Sequence, residues 1–148
     1  MWIRGKASIT IAAAPEAIWE WLVDREKQKR WMKDDIEWLP ADRSALRAGY
    51  VGTEIMRMPH GPSEARIELL EFDPPRRMVV SQQHDLFRAR AVFELSPGAG
   101  GTRVTSSVRI RYRSLKTWLG VLPIVPFYGR VIKNGLKELK QLIEEGAT

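Results

Sequence analysis

Few side chains in this chain can move a proton or form a bond near neutral pH. None of the 148 residues is cysteine, which excludes thiolate nucleophiles, thiolate metal sites and disulfides. The only histidines are His60 and His84, so acid–base chemistry has little to draw on. His60 sits in a Pro-His-Gly-Pro sequence and reads as a turn residue. His84 follows Gln82 on one strand face and precedes Asp85, which would hold one tautomer if it were close; otherwise His84 reads as a strand-end histidine at the solvent. Ser106 is a hydroxyl on an otherwise apolar strand face, where it bonds either a ligand or the backbone. Tyr112 and Tyr128 either point a phenol into an interior space or pack as core aromatics. His84, Ser106 and Tyr112 are therefore the candidate catalytic residues. The sequence contains no metal-ligand cluster, phosphate-binding loop or nucleophile with a sequence-adjacent base, and neither metal nor cofactor is expected.

The second chemical feature is charge. The formal net charge is +6, which raises nucleic acid and anionic membrane surfaces as partners. Arg103, Arg109, Arg111 and Arg113, beside Arg88 and Arg90, alternate with apolar residues and so occupy one strand face. Nucleic-acid binding usually adds exposed aromatics that stack on bases. Here Phe87, Phe93 and Tyr112 fall on the opposite, inner face, so nucleic acid is not expected. The stripe reads either as a solvated face or as a weak docking surface for anionic lipid.

Elements that could position these residues follow from periodicity. Ile3, Ala7, Ile9, Ile11 and Ala13 alternate with polar residues as a half-buried strand. Pro15 and Glu16 then open a short helix burying Ile18, Trp19, Leu22 and Val23, and Asp24 caps a second, polar one that brings Trp31 and Met32 inward. Ile36 and Trp38 before Pro40 predict a brief edge strand, and Ala41–Gly49 a loop. Strands follow at Gly52–Met58, Ala65–Leu69, Met78–His84, Phe87–Leu95 and Val104–Tyr112, separated by Pro- and Gly-rich turns. Short turns make the sheet antiparallel, and its apolar face needs cover. The cover is the C-terminal segment. Tyr128, Ile132, Leu136, Leu139 and Ile143 recur at helical spacing, with Arg130, Lys133, Lys137, Lys140 and Glu144 opposite. Before it, Trp118–Tyr128 is apolar on every side and broken by Pro123 and Pro126, which predicts a kinked segment needing cover all round and serving as a cavity mouth. At 148 residues the chain is read as a single domain, 1–148, able to bury a core without staples. Its longest apolar run is too short for a membrane span. Arg4 and Lys6 before Ala7–Ala14 imitate a signal peptide, but Ser8 and Thr10 interrupt the run, so a soluble cytoplasmic protein is expected.

Several local motifs, in order, resemble one superfamily. They are the segment Ile9 to Trp31 with Ala14-Pro15-Glu16, Ile18-Trp19, Leu22 and Asp24; Gly52-Thr53; Glu71-Phe72-Asp73-Pro74-Pro75-Arg76-Arg77; Gly100-Gly101-Thr102-Arg103-Val104; and Leu136 to Glu145. The chain thereby resembles the START and Bet v 1-like (SRPBCC) superfamily, in its polyketide cyclase/dehydrase and lipid-transport-like branch. The resemblance implies an α+β helix-grip fold, in which a curved antiparallel sheet of about seven strands wraps a long C-terminal helix, with two short helices between strands 1 and 2. It also implies a cavity for a hydrophobic ligand, and it carries no shared catalytic motif to map onto these residues.

The expected function is binding, with transport as its extension, of a hydrophobic small molecule or lipid in a cavity lined by Trp19, Ile55, Ile67, Phe87, Phe93, Tyr112, Trp118 and Phe127. Burying about 500 Å² of apolar ligand surface at roughly 25 cal/mol/Å² gives about 12 kcal/mol gross. Association costs of about 4–15 kcal/mol would leave micromolar or weaker affinity without a polar anchor. The alternative is a cyclase, aromatase or dehydratase that bends a poly-ketone chain in the same cavity; it requires at least two of His84, Ser106 and Tyr112 to converge. A third reading uses Trp2, Trp21 or Trp38 as exposed anchors for a protein partner, including a second copy in a homodimer.

Overall fold

A computed structural model describes residues 2–32, 39–58 and 61–146. The elements, in chain order, are β1 (Trp2–Ile11), α1 (Pro15–Val23), α2 (Arg25–Trp31), a 3₁₀ turn at Arg43–Ala45, β2 (Val51–Met58), β3 (Gly61–Asp73), β4 (Arg77–Gln83), β5 (Phe87–Gly98), β6 (Gly101–Tyr112), α3 (Leu115–Val121), a 3₁₀ stretch at Leu122–Phe127, and α4 (Tyr128–Glu144). The six strands form one antiparallel sheet in the order β1-β6-β5-β4-β3-β2. A register shift between Leu69 and Glu71 marks a bulge in β3, the kind of irregularity that bends a sheet. This is the expected α+β helix-grip architecture. The brief strand expected around Ile36 and Trp38 lies outside the described residues.

The two short helices form where the punctuation places them. Pro15 begins α1, and the Asp24 side chain caps α2 by accepting from the Lys27 N–H at 2.9 Å. They close one end of the sheet through aromatic contacts. Trp31 meets Phe93 edge-on with centroids 6.3 Å apart, and its indole N–H donates to the Trp21 carbonyl at 2.9 Å. Trp19 packs on Phe72 at 5.7 Å.

Helix α4 lies across β1 and supplies the fully buried Leu136 and Leu139 to the core with Ile11, Ile18, Leu22, Leu69, Met78 and Val104. Its close approach depends on Gly5. A Cβ there would sit 2.6 Å from Ile132 Cδ1 and 2.8 Å from Tyr128 Cδ1. Lys133 and Lys140, placed by periodicity on the polar side of this helix, instead donate to the carbonyls of Ser8 and Thr10, the latter at 2.6 Å. These carbonyls belong to an edge strand, whose unpaired backbone groups would otherwise offer a template for another chain.

The segment before α4 departs from expectation. Trp118–Tyr128 was predicted to be covered on all sides, yet no residue of α3 is buried. Leu115, Leu119, Leu122 and Phe127 stand 40–60% exposed. The kink itself is present, since the chain passes through α3 and a proline-bearing 3₁₀ stretch before α4.

Candidate functional site: a cavity between sheet and helix

Alternation along each strand sends one set of side chains toward α4. On β5 and β6 the inward set is Phe87, Ala89, Ala91 and Phe93, paired with Tyr112, Ile110, Val108 and Ser106. The small Ala89 and Ala91 leave space, and two adjoining lobes of a cavity occupy it. One, about 160 Å³, is bounded by Gln28, Glu54, Ile67, Val80, Gln82, Ala89 and Ile110, among others. The other, about 260 Å³, reaches Trp31, Ser106, Ile132, Gly135 and Leu136. Met32, Ala91, Phe93, Val108 and Tyr128 line both. The walls are mostly apolar, with a few polar groups, which is the usual composition of a small-molecule site.

Expected lining residues divide into those the fold gathers and those it does not. Ile67 and Phe93 face the cavity. Trp19 is buried, but in the packed cluster against Phe72. Phe87, Tyr112 and Trp118 form a separate aromatic row beyond the lobes, with centroids 6.0 Å and 6.1 Å apart along it. Ile55 is half exposed on the outer face of the sheet, which corrects its assignment to the cavity. The reason is register. The β2–β3 pairing sets Glu54 opposite Ala65 and Gly52 opposite Ile67, and directly opposed residues share a face. Because Ala65 and Ile67 are buried, Glu54 must point inward and Ile55 outward. Phe127, 52% exposed with the Arg130 guanidinium 5.8 Å from its ring centre, also lies outside.

Glu54 is the site residue that periodicity alone missed. It is 1% exposed, and its carboxylate accepts from the amide of Gln82, whose nitrogen also approaches Met56 Sδ at 3.6 Å. Gln28, 4% exposed, brings a second amide to the same lobe from α2. The available signal was Ala65 two residues before Ile67 on a strand joined to β2 by a short turn, but it is readable only once the register is known.

The three candidate catalytic residues do not converge. Ser106 is buried beside the larger lobe, opposite Phe93 and Ala7. Tyr112 lies six residues further along β6, roughly 20 Å away at strand rise. Burial raises the Tyr112 phenol above its ordinary value, so it stays protonated at neutral pH. His84 is buried, not at the solvent, and Asp85 is not its partner. Its Nδ1 accepts from the Leu86 N–H at 3.1 Å, so Nε2 carries the proton and donates to Ser63 Oγ at 2.6 Å, while the ring stacks on Phe87. A histidine in that tautomer cannot take the Ser63 proton, which rules out an activated serine there. Among the described residues no group of three or more His, Asp or Glu side chains gathers for a metal. His60 lies outside the described residues.

The outer face carries the arginines, in rows. Arg4, Arg109 and Arg90 stand directly opposite one another across β1, β6 and β5, and Trp2, Arg111 and Arg88 form the next row. Trp2 is 40% exposed, with the Arg109, Arg111 and Arg4 guanidinium carbons 4.8, 5.6 and 5.9 Å from its ring centre. Arg88, Arg111 and Arg113 border a recess with Tyr112. Arg103 does not join them; it lies at the far end of β6, in a recess with Lys133 and Lys140. Of the tryptophans considered as anchors, Trp21 is buried and Trp38 lies outside the described residues.

A curved antiparallel sheet gripping a C-terminal helix over a mostly apolar cavity defines a helix-grip ligand-binding architecture. The chain belongs to the family described as polyketide cyclase / dehydrase and lipid transport, whose model matches residues 3–144. Solved structures share the fold at low sequence identity. Protein Ms6760 from Mycobacterium smegmatis is 19% identical with a TM-score of 0.65, the match covering 97% of this chain and 92% of that one. A Rhodobacter sphaeroides protein is 16% identical with a TM-score of 0.67, covering 97% and 93%. Protein MLL2253 from Mesorhizobium loti is 16% identical with a TM-score of 0.66, covering 98% and 99%. No curated protein matches the sequence. Among the described residues no helix is long and apolar enough to cross a membrane.

Proposed function

We propose that this protein binds a small hydrophobic molecule in the two-lobed cavity and exchanges it at an anionic lipid surface. The observation that carries the reading is the cavity itself, apolar in most of its wall and placed between the sheet and α4. Its lobes of about 160 and 260 Å³ suit a small ligand more than a two-chain lipid. The wild-type protein should take up Nile red with a blue-shifted emission. Ala91→Phe and Val108→Phe, each filling space common to both lobes, should abolish uptake while far-UV circular dichroism is kept. Uptake undiminished in both variants, or native mass spectrometry finding no adduct with any apolar probe, would sink the proposal.

The exchange surface is argued from two neighbouring features. Leu115, Leu119, Leu122 and Phe127 form an exposed apolar ridge, and Arg113, Lys116 and Arg130 flank it in sequence. The second is the Arg4, Arg88, Arg90, Arg109 and Arg111 grid with Trp2 on β1, β5 and β6. Like charges set directly opposite one another are unfavourable, and among the described residues none of these five arginines has a carboxylate partner. An anionic surface supplies the missing counter-charge, at about 1 kcal/mol per basic residue. Vesicle co-sedimentation at low salt should show binding to vesicles rich in phosphatidylserine and little to phosphatidylcholine alone, with loss in the Arg109→Glu, Arg111→Glu double variant. Equal binding to both vesicle types, or binding only to a single-stranded oligonucleotide, would remove the membrane from the reading.

A cyclase- or dehydratase-type reaction is the second reading, and the family description together with Glu54 favours it. A buried carboxyl inside an apolar cavity is a group suited to moving protons. Turnover of a poly-ketone substrate by wild type but not by Glu54→Gln would establish it.

A further inference from the structure

We infer that the recess bordered by Arg88, Arg111 and Arg113 is a headgroup site for a phosphate monoester carried by a membrane lipid, and that the exposed apolar side of α3 beside it enters the lipid layer. The inference rests on the membrane-docking part of the reading above and names the headgroup it prefers. The strand ladder brings the three side chains together. Arg88 stands directly opposite Arg111. Arg113 follows two residues later, and its N–H donates to the Leu86 carbonyl at 2.9 Å, so the pairing of the two chain segments continues to it. Directly opposed residues lie about 5 Å apart, and alternate residues of a strand about 7 Å apart. Three guanidinium groups on such short spacings reach one space, a recess of about 280 Å³.

Charge and location set what the recess takes. Among the described residues no carboxylate lies within ion-pair distance of Arg88, Arg111 or Arg113. The basic recess at the other end of β6 differs, because Lys133 and Lys140 there donate to the carbonyls of Ser8 and Thr10, and Lys140 also meets Glu144 at 2.8 Å. A guanidinium is a planar fork that takes two oxygens of a phosphate or carboxylate at once. Three forks around one space exceed what a carboxylate or a phosphodiester offers, since each has two terminal oxygens and a single charge. A phosphate monoester has three terminal oxygens and a charge of about −1.5 to −2 at neutral pH. Ser114 alone separates Arg113 from α3, and Trp118 of that helix packs on Tyr112 with centroids 6.1 Å apart, which holds α3 beside the recess. Leu86, which bonds Arg113, and Leu115 and Leu119 of α3 are all exposed. An anion site set against exposed apolar side chains suits an amphiphile; a free phosphate has no use for such neighbours.

Co-sedimentation with phosphatidylcholine vesicles doped either with phosphatidic acid, a monoester, or with phosphatidylserine, a diester, and matched in surface potential, tests this. Wild type should be half-bound by the phosphatidic acid vesicles at a lipid concentration at least about tenfold lower than by the phosphatidylserine vesicles. In Arg88→Lys and Arg113→Lys, which keep the charge but lose the fork, the gap should shrink to within about threefold. Arg103→Gln, with one charge fewer at the far end of β6, should retain it. Equal affinity of wild type for the two vesicles, a gap unchanged in both lysine variants, or a gap lost equally in Arg103→Gln overturns the headgroup site while leaving the docking surface standing. Ethyl phosphate binding in calorimetry as tightly as phosphatidic acid vesicles would assign the recess to a soluble phosphate ester and overturn the lipid. Sedimentation with neither vesicle overturns the docking surface and the headgroup site with it.

Discussion

The two halves of the C-terminal segment, α3 with its 3₁₀ extension and α4, are both rich in apolar residues but use them in opposite ways. Helix α4 buries Leu136 and Leu139 completely and fastens its polar side to β1 through Lys133 and Lys140. The segment from Leu115 to Phe127 buries none of its described side chains fully and exposes four large apolar ones, with Trp118 half-buried against Tyr112. Apolar content therefore does not distinguish core from surface here; position relative to the sheet does. The first half can remain exposed because the second half already closes the core.

Truncation should separate the halves most strongly. Leu139→Ala removes a side chain with no exposure and should cost about 2–5 kcal/mol in urea unfolding. Leu119→Ser, at a position 54% exposed, should stay within about 0.5 kcal/mol of wild type yet weaken sedimentation with anionic vesicles. Comparable destabilisation by the two substitutions would mean that the halves do not differ as described. Hydrogen exchange offers the same contrast without mutation, with strong protection around Leu136 and Leu139 and weak protection across Leu115–Val121. Similar protection in both would break it.

A middle-sized effect should come from the contact that seats α4. Gly5→Val would place its branched side chain into Ile132 and Tyr128, whose atoms would lie 2.6 and 2.8 Å from the new Cβ. Overpacking of this kind costs about 1–3 kcal/mol. Tyr128 and Ile132 also line the cavity, so Gly5→Val should change Nile red uptake as well as stability. A shift in melting temperature with unchanged uptake would show that α4 seating and cavity shape are independent.

The contrast between strands explains how far sequence reasoning reaches. On β6 the alternation of Val104, Ser106, Val108, Ile110 and Tyr112 with arginines names both faces, because each residue's chemistry agrees with its side of the sheet. On β2 it names the wrong face, since Val51, Thr53 and Ile55 look like the inner set. Hairpin register, fixed by the Met56–Ser63 and Glu54–Ala65 pairs, overrules that preference. The order of elements was legible from turn residues and periodicity, because these act locally, and the helix grip followed from the family resemblance. The polar end of the cavity was not, because Gln28, Glu54 and Gln82 come from three separate elements. The exposure of Leu119 and Phe127 was hidden for a related reason: composition records how apolar a segment is, not whether anything covers it.

The smallest effect concerns how α4 ends. Glu144 Oε2 accepts from Lys140 Nζ at 2.8 Å and from the Ala12 N–H at 3.0 Å, tying the last turn of the helix to the chain just beyond β1. The Lys140 hydrogen bond first, then that from Ala12, holds the carboxyl below its ordinary value of 4.5. A carboxylate whose folded pKa is depressed adds stability that is fully present above its unfolded pKa and is lost as pH falls through its folded pKa. Stability measured by urea unfolding should therefore decline as pH drops below about 4.5, and the part of that decline due to Glu144 should vanish in Glu144→Gln. Because the group is open to solvent, the difference between the two profiles should be small and should shrink further in salt. No comparable dependence is expected from Leu115–Phe127, which carries no acidic residue. Identical acid profiles for Glu144→Gln and wild type would show that α4 is held on β1 by Leu136, Leu139 and the two lysines without help from its final turn.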